Sequence, residues 1–68
     1  MDNLTQRERD VIQALVNLRN VDLVAEALQI TKRTVHFHLQ NVYKKLEYPA
    51  SKRNQMRLVL DWTRYMVN

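Results

Sequence analysis

Gln40 and Asn41 carry amides able to donate to and accept from a single base edge. They lie in a run, Thr31 to Leu46 (TKRTVHFHLQNVYKKL), that holds four cations and no acid. An amide of this kind pairs with N6 and N7 of adenine, and an apolar ring such as Phe37 suits the methyl of thymine. Lys32, Arg33, Lys44 and Lys45, with the hydroxyls of Thr31 and Thr34, are groups that hold phosphates and fix register without reading sequence. At about 100° per residue, Val35, Leu39, Val42 and Leu46 form one helical stripe; Arg33, Phe37, Gln40, Asn41 and Lys44 lie opposite, flanked by His36 and Thr34. A helix that is apolar behind, cationic at both ends and amide-plus-aromatic in front has the chemistry of a major-groove reader. The candidate base contacts are therefore His36, Phe37, Gln40 and Asn41, and the candidate phosphate contacts are Thr31, Lys32, Arg33, Thr34, Lys44 and Lys45.

Other chemistries fit less well. His36 and His38 are two residues apart, so on a helix they point about 200° apart and cannot hold one metal ion. His38 borders the apolar stripe, where a hydrogen-bonded structural histidine is expected, with phosphate contact as its second role. Phe37 has a bland alternative too, packing against another protein. No Ser/His/Asp or paired-carboxylate arrangement and no phosphate loop is present, and the chain is too short to enclose a pocket, so no enzyme, catalytic residue, metal or cofactor is expected.

Sixty-eight residues allow one domain, 1–68, of which folding buries only about 60% of the unfolded surface, so stability is marginal and self-association helps. There is no cysteine to staple the fold. No apolar run approaches the roughly 20 residues of a membrane span, and the polar N-terminus is not a signal peptide, which predicts a soluble cytoplasmic protein. Charge is segregated. Arg7, Arg9 and Arg19 against Asp2, Glu8, Asp10, Asp22 and Glu26 leave residues 1–30 at −2; eight basic and two acidic groups leave residues 31–68 at +6, which together make the net +4. A polyanion docking on the C-terminal half accounts for this split.

The elements that position the recognition run follow from caps and periodicity. Thr5-x-x-Glu8 is a capping box opening a helix over about 5–17, with Val11, Ile12, Leu15, Val16 and Leu18 at helical spacing. Asn20 caps a short helix, 21–28, in which Val21, Val24, Ala25 and Leu28 repeat at i, i+3, i+4 and i+7. A link of two to four residues to Thr31 forces a sharp crossing, as in a helix-turn-helix, with Ile30 plugging the elbow. The third helix spans 32–46, and Pro49 ends it by disfavouring helical geometry at Tyr48. Ser51 can cap a fourth helix, 52–66, which has two apolar faces. Met56, Val59, Leu60 and Thr63 are expected to close the core, leaving Leu58, Trp62 and Tyr65 as a surplus stripe for a dimer interface. The expected fold is all-α, a four-helix bundle with a helix-turn-helix.

These residues resemble the LuxR-type (GerE-like) helix-turn-helix domain of bacterial transcription regulators. The family's opening Leu-Thr-x-Arg-Glu and Val-Leu pair stand here as Leu4, Thr5, Arg7, Glu8, Val11 and Ile12, and its Ile-Ala before a Leu as Val24, Ala25 and Leu28. Its most specific part is matched by Ile30, Thr31, Thr34, Val35, His38, Leu39, Asn41, Val42, Lys45 and Leu46 at unbroken spacing. The resemblance covers roughly residues 4–60. It implies four helices, the third in the major groove and the fourth supplying a dimer contact. The chain departs from the pattern where the family usually has glycine, with Leu18, Gln29 and Glu47 in those places and no glycine anywhere. Asn17 and Asn20 are alternative residues for closing the first turn.

The function expected is a sequence-specific DNA-binding transcription regulator, without a sensor domain in this chain. It is expected to act as a homodimer on an inverted repeat with half-sites about 34 Å apart. The rival expectation is a protein-interaction module of the same fold that binds RNA polymerase, a sigma factor or a larger regulator, with Phe37, Trp62 and Tyr65 as its anchors.

Overall fold

Thr5 starts the first helix as the capping box requires. Its hydroxyl accepts from the Glu8 N–H at 3.1 Å, and its own N–H donates to the Glu8 carboxylate at 2.9 Å. The computed structural model describes residues 3–67, apart from the side chains of Met66 and Val67. The chain forms α1 (Gln6–Leu18), α2 (Val21–Leu28), α3 (Lys32–Lys45) and α4 (Asn54–Val67), so it is all-α, as expected. Asn20 caps α2 through the Leu23 N–H and Thr31 caps α3 through the Thr34 N–H, both at 3.1 Å. The fourth helix begins two residues later than its sequence suggests. Ser51 accepts from the Arg53 N–H and closes a separate turn, and the buried Asn54 donates its amide to the Pro49 carbonyl at 2.7 Å.

The glycine-free turns adopt left-handed backbone all the same. Arg19, Gln29 and Glu47 have φ of 54°, 57° and 60°. The first left-handed residue is thus Arg19, and neither Leu18, Asn17 nor Asn20 takes that role. At the ends of α2 and α3 the next residue folds back: the Ile30 N–H donates to Ala25 O at 3.0 Å and the Tyr48 N–H to Tyr43 O at 2.9 Å, and both side chains pack on the core. Ile30 does plug the elbow. A side chain in this region costs about 1 kcal/mol relative to glycine. Glu47→Gly is therefore expected to raise stability by about 0.5 to 1 kcal/mol, a few degrees in melting temperature. Thermal melts check it, and a lowered midpoint would contradict the turn assignment.

The helices share one core, in which Val11, Ile12 and Leu15 of α1, Val24 of α2, Val35, Leu39 and Val42 of α3 and Leu58 of α4 are fully buried. The expected faces of α4 are largely reversed. Leu58 and Trp62, taken from sequence as the surplus stripe, are 0% and 4% exposed, whereas Met56 and Leu60 are 70% and 53% exposed. Only Val59 of the expected core face is buried, and only Tyr65 of the expected dimer stripe is exposed. The cause is the way α4 lies on α1. Trp62 has the largest apolar surface on the helix, and burying it there also gives its indole N–H an acceptor, the side-chain amide oxygen of Gln13 at 3.3 Å.

Candidate nucleic-acid interface

Fourteen residues make α3 about 21 Å long, enough to lie in a major groove about 12 Å wide. Val35, Leu39 and Val42 anchor its back to the core. That anchoring turns Arg33, His36, Phe37, Gln40 and Lys44 to solvent, with Thr34 and Asn41 half-buried at the edge. Phe37 is 62% exposed, so its ring lies on the outer face. His38 is half-buried with its ring edge-on to Phe37 at 5.7 Å; among the described residues it makes no hydrogen bond, contrary to expectation.

The cations divide into three kinds. Arg33 and Lys44 are exposed without an ion pair among the described residues. Lys32 lies 3.3 Å from Asp22, but both groups are well exposed, so the pair is weak and open to exchange. Lys45 differs, because its ammonium donates to the Glu8 carboxylate at 2.7 Å and Glu8 is buried. Lys45 is thus a strut between α1 and the end of α3, so the cation expected to hold a phosphate is engaged by Glu8 in the free protein. Burial pushes the Glu8 carboxyl up, but the bonds from Lys45 and Thr5 outweigh it and hold the group below the usual range. The capping box was legible in the sequence, whereas the second partner of Glu8 depended on tertiary packing.

A second strut fixes α4. Tyr43 of α3 stacks on Tyr48 with ring centres 5.9 Å apart, and the Arg57 guanidinium covers Tyr48 at 4.9 Å. The Tyr48 hydroxyl donates to Asp61; burial first, and then this bond, drive the Tyr48 phenol far above its ordinary value. Thr31 and Thr34 link their hydroxyls at 2.9 Å, so the start of α3 is organised before any ligand arrives.

The site is therefore a capped helix, short-linked to α2, that presents an amide and a ring between free cations. A model of the LuxR family of bacterial regulatory proteins, the GerE type, matches residues 2–59. The chain belongs to this family. No curated protein and no solved structure matches it. LuxR-type domains are helix-turn-helix DNA-binding regulators, and α2 and α3 are that motif here. Within the LuxR-type frame, Gln29 and Glu47 keep the left-handed turns that the family usually gives to glycine. No helix among the described residues is long and apolar enough to cross a membrane.

Proposed function

We propose that this LuxR-type chain is a sequence-specific transcription regulator, residues 1–68 acting as one cytoplasmic, non-enzymatic domain that lays α3 in the major groove of double-stranded DNA. Gln40 and Asn41 read adenine edges, Phe37 contacts a thymine methyl and His36 borders them. Arg33, Lys44 and Lys32, with Thr31 and Thr34, hold phosphates. Copies associate through α4, whose exposed large apolar residues, among those described, are Met56, Leu60 and Tyr65. The supporting observation is the exposure of Phe37 and Gln40 between Arg33 and Lys44 on one face of a helix whose other face is buried.

Selection of bound duplexes from a random pool, followed by variants on the selected site, tests the proposal. Arg33→Ala or Lys44→Ala is expected to weaken binding to all duplexes alike and to lower the salt slope by about 1. Gln40→Ala is expected to cost about 1 to 3 kcal/mol, mainly on the selected site. Equal losses for Gln40→Ala on selected and random DNA would remove it from base reading. Phe37→Ala is expected to leave the melting temperature within the small range of surface substitutions while lowering discrimination between duplexes.

A further inference from the structure

Phe37 and His38 are consecutive on α3, and consecutive residues of a helix point about 100° apart and do not face one another. Their rings meet all the same. The centres lie 5.7 Å apart with the planes at 66°, the distance and tilt of an edge-to-face aromatic pair. One side chain has therefore turned toward the other. His38 is half-buried beside the stripe of Val35, Leu39 and Val42 and has little room to swing, whereas Phe37 stands out on the exposed face. Phe37 is the one that leans.

The direction of the lean follows from the helical count. At about 100° per residue, Asn41, Thr34 and His38 lie on one flank of Phe37, and Gln40 and His36 on the other. The ring is thus carried toward the half-buried Asn41 and away from the exposed Gln40, whose amide is left clear. Among the described residues His38 is the one ring that touches Phe37, and His38 itself makes no hydrogen bond or ion pair. Its directional contact is with Phe37 alone.

We propose that His38 is a positioning residue that holds Phe37 in the orientation from which it meets a thymine methyl. The inference rests on the DNA-binding reading above and deepens it: Phe37 contacts the base, and His38 sets whether the ring is in place to do so. An exposed phenylalanine without a neighbour divides its time among the rotamers that a helix allows. An aromatic pair favours the paired rotamer by a factor of about 2 to 10. The ring is then ordered before DNA arrives, and less freedom is lost on binding. A phosphate contact by His38 would behave differently, since it would strengthen binding to all duplexes alike.

Deoxyuridine in place of thymidine removes one methyl and leaves base pairing intact, which gives the test its probe. On the selected duplex, the thymine met by Phe37 is the one at which this exchange weakens the wild type, by about fourfold for one methyl kept from water, and leaves Phe37→Ala unaffected. At that position His38→Leu, which keeps apolar bulk but no ring, is expected to bind the two duplexes within about twofold of each other. His38→Phe, which keeps a ring, is expected to restore the preference, and both variants are expected to keep the wild-type salt slope. In the free protein, NMR couplings across the Phe37 Cα–Cβ bond are expected to report one dominant rotamer in the wild type and in His38→Phe, and an average in His38→Leu. A His38→Leu chain that keeps the full preference, or one that loses about one unit of salt slope, would overturn the inference. So would an averaged Phe37 rotamer in the wild type, a result that needs neither DNA nor a variant. Failure of the DNA reading is seen elsewhere: no exchange of thymidine for deoxyuridine then separates the wild type from Phe37→Ala, and the inference falls with that reading.

Discussion

Replacing Trp62 by alanine is expected to unfold most of the protein at room temperature. The indole is 4% exposed, sits with Leu58 and Val59 between α4 and α1, meets Tyr65 at 5.6 Å and donates to Gln13 at 3.3 Å. Truncating a buried tryptophan costs about 3 to 5 kcal/mol, and a chain of this size has a total stability near the same figure. Trp62→Ala is therefore expected to lose the cooperative thermal transition, whereas Leu60→Ala, on the exposed face, stays within about 0.5 kcal/mol of the wild type. Circular dichroism melts compare the two. The opposite ranking would restore the sequence-based view that Trp62 is surplus surface and Leu60 is core.

That view failed for a physical reason. A helical count fixes the angle between two stripes on α4 but carries no information about which stripe meets α1, since that depends on the crossing made after Pro49. The deciding signals were long-range: an acceptor for the indole on Gln13, and the stack of Tyr43, Tyr48 and Arg57 that orients the helix. On α3 the ambiguity does not arise, because only one stripe is apolar, and so the outward placement of Phe37 and Gln40 was readable. Caps were readable for the same local reason: Thr5, Asn20 and Thr31 each bond an N–H three residues on. The left-handed turns were not readable, because the glycine that usually marks them is missing and closure by Asn17 or Asn20 stayed open, whereas the backbone turns at Arg19, Gln29 and Glu47.

Lys45→Ala is expected to destabilise the protein by about 2 to 3 kcal/mol, because it leaves the buried Glu8 carboxylate without its charged donor while the Thr5 bonds remain. The same link predicts an acid limb. The folded-state value of Glu8 lies below its ordinary 4.5, so the contribution is fully present above that value and is lost as pH falls through the lower, folded-state value. Melting temperature is thus expected to fall less steeply below about pH 4.5 in Glu8→Gln than in the wild type, the difference between the two curves isolating this carboxyl from the exposed acids. Curves that run parallel through the acid range would show that folding does not lower the Glu8 carboxyl below its ordinary value. The strut also changes what Lys45→Ala does to DNA binding. A phosphate that drew Lys45 away would strand Glu8 in the interior, so affinity is expected to drop through the loosened end of α3, with the salt slope unchanged. Loss of about one unit of slope, as expected for Lys44→Ala, would instead return Lys45 to the phosphate contacts.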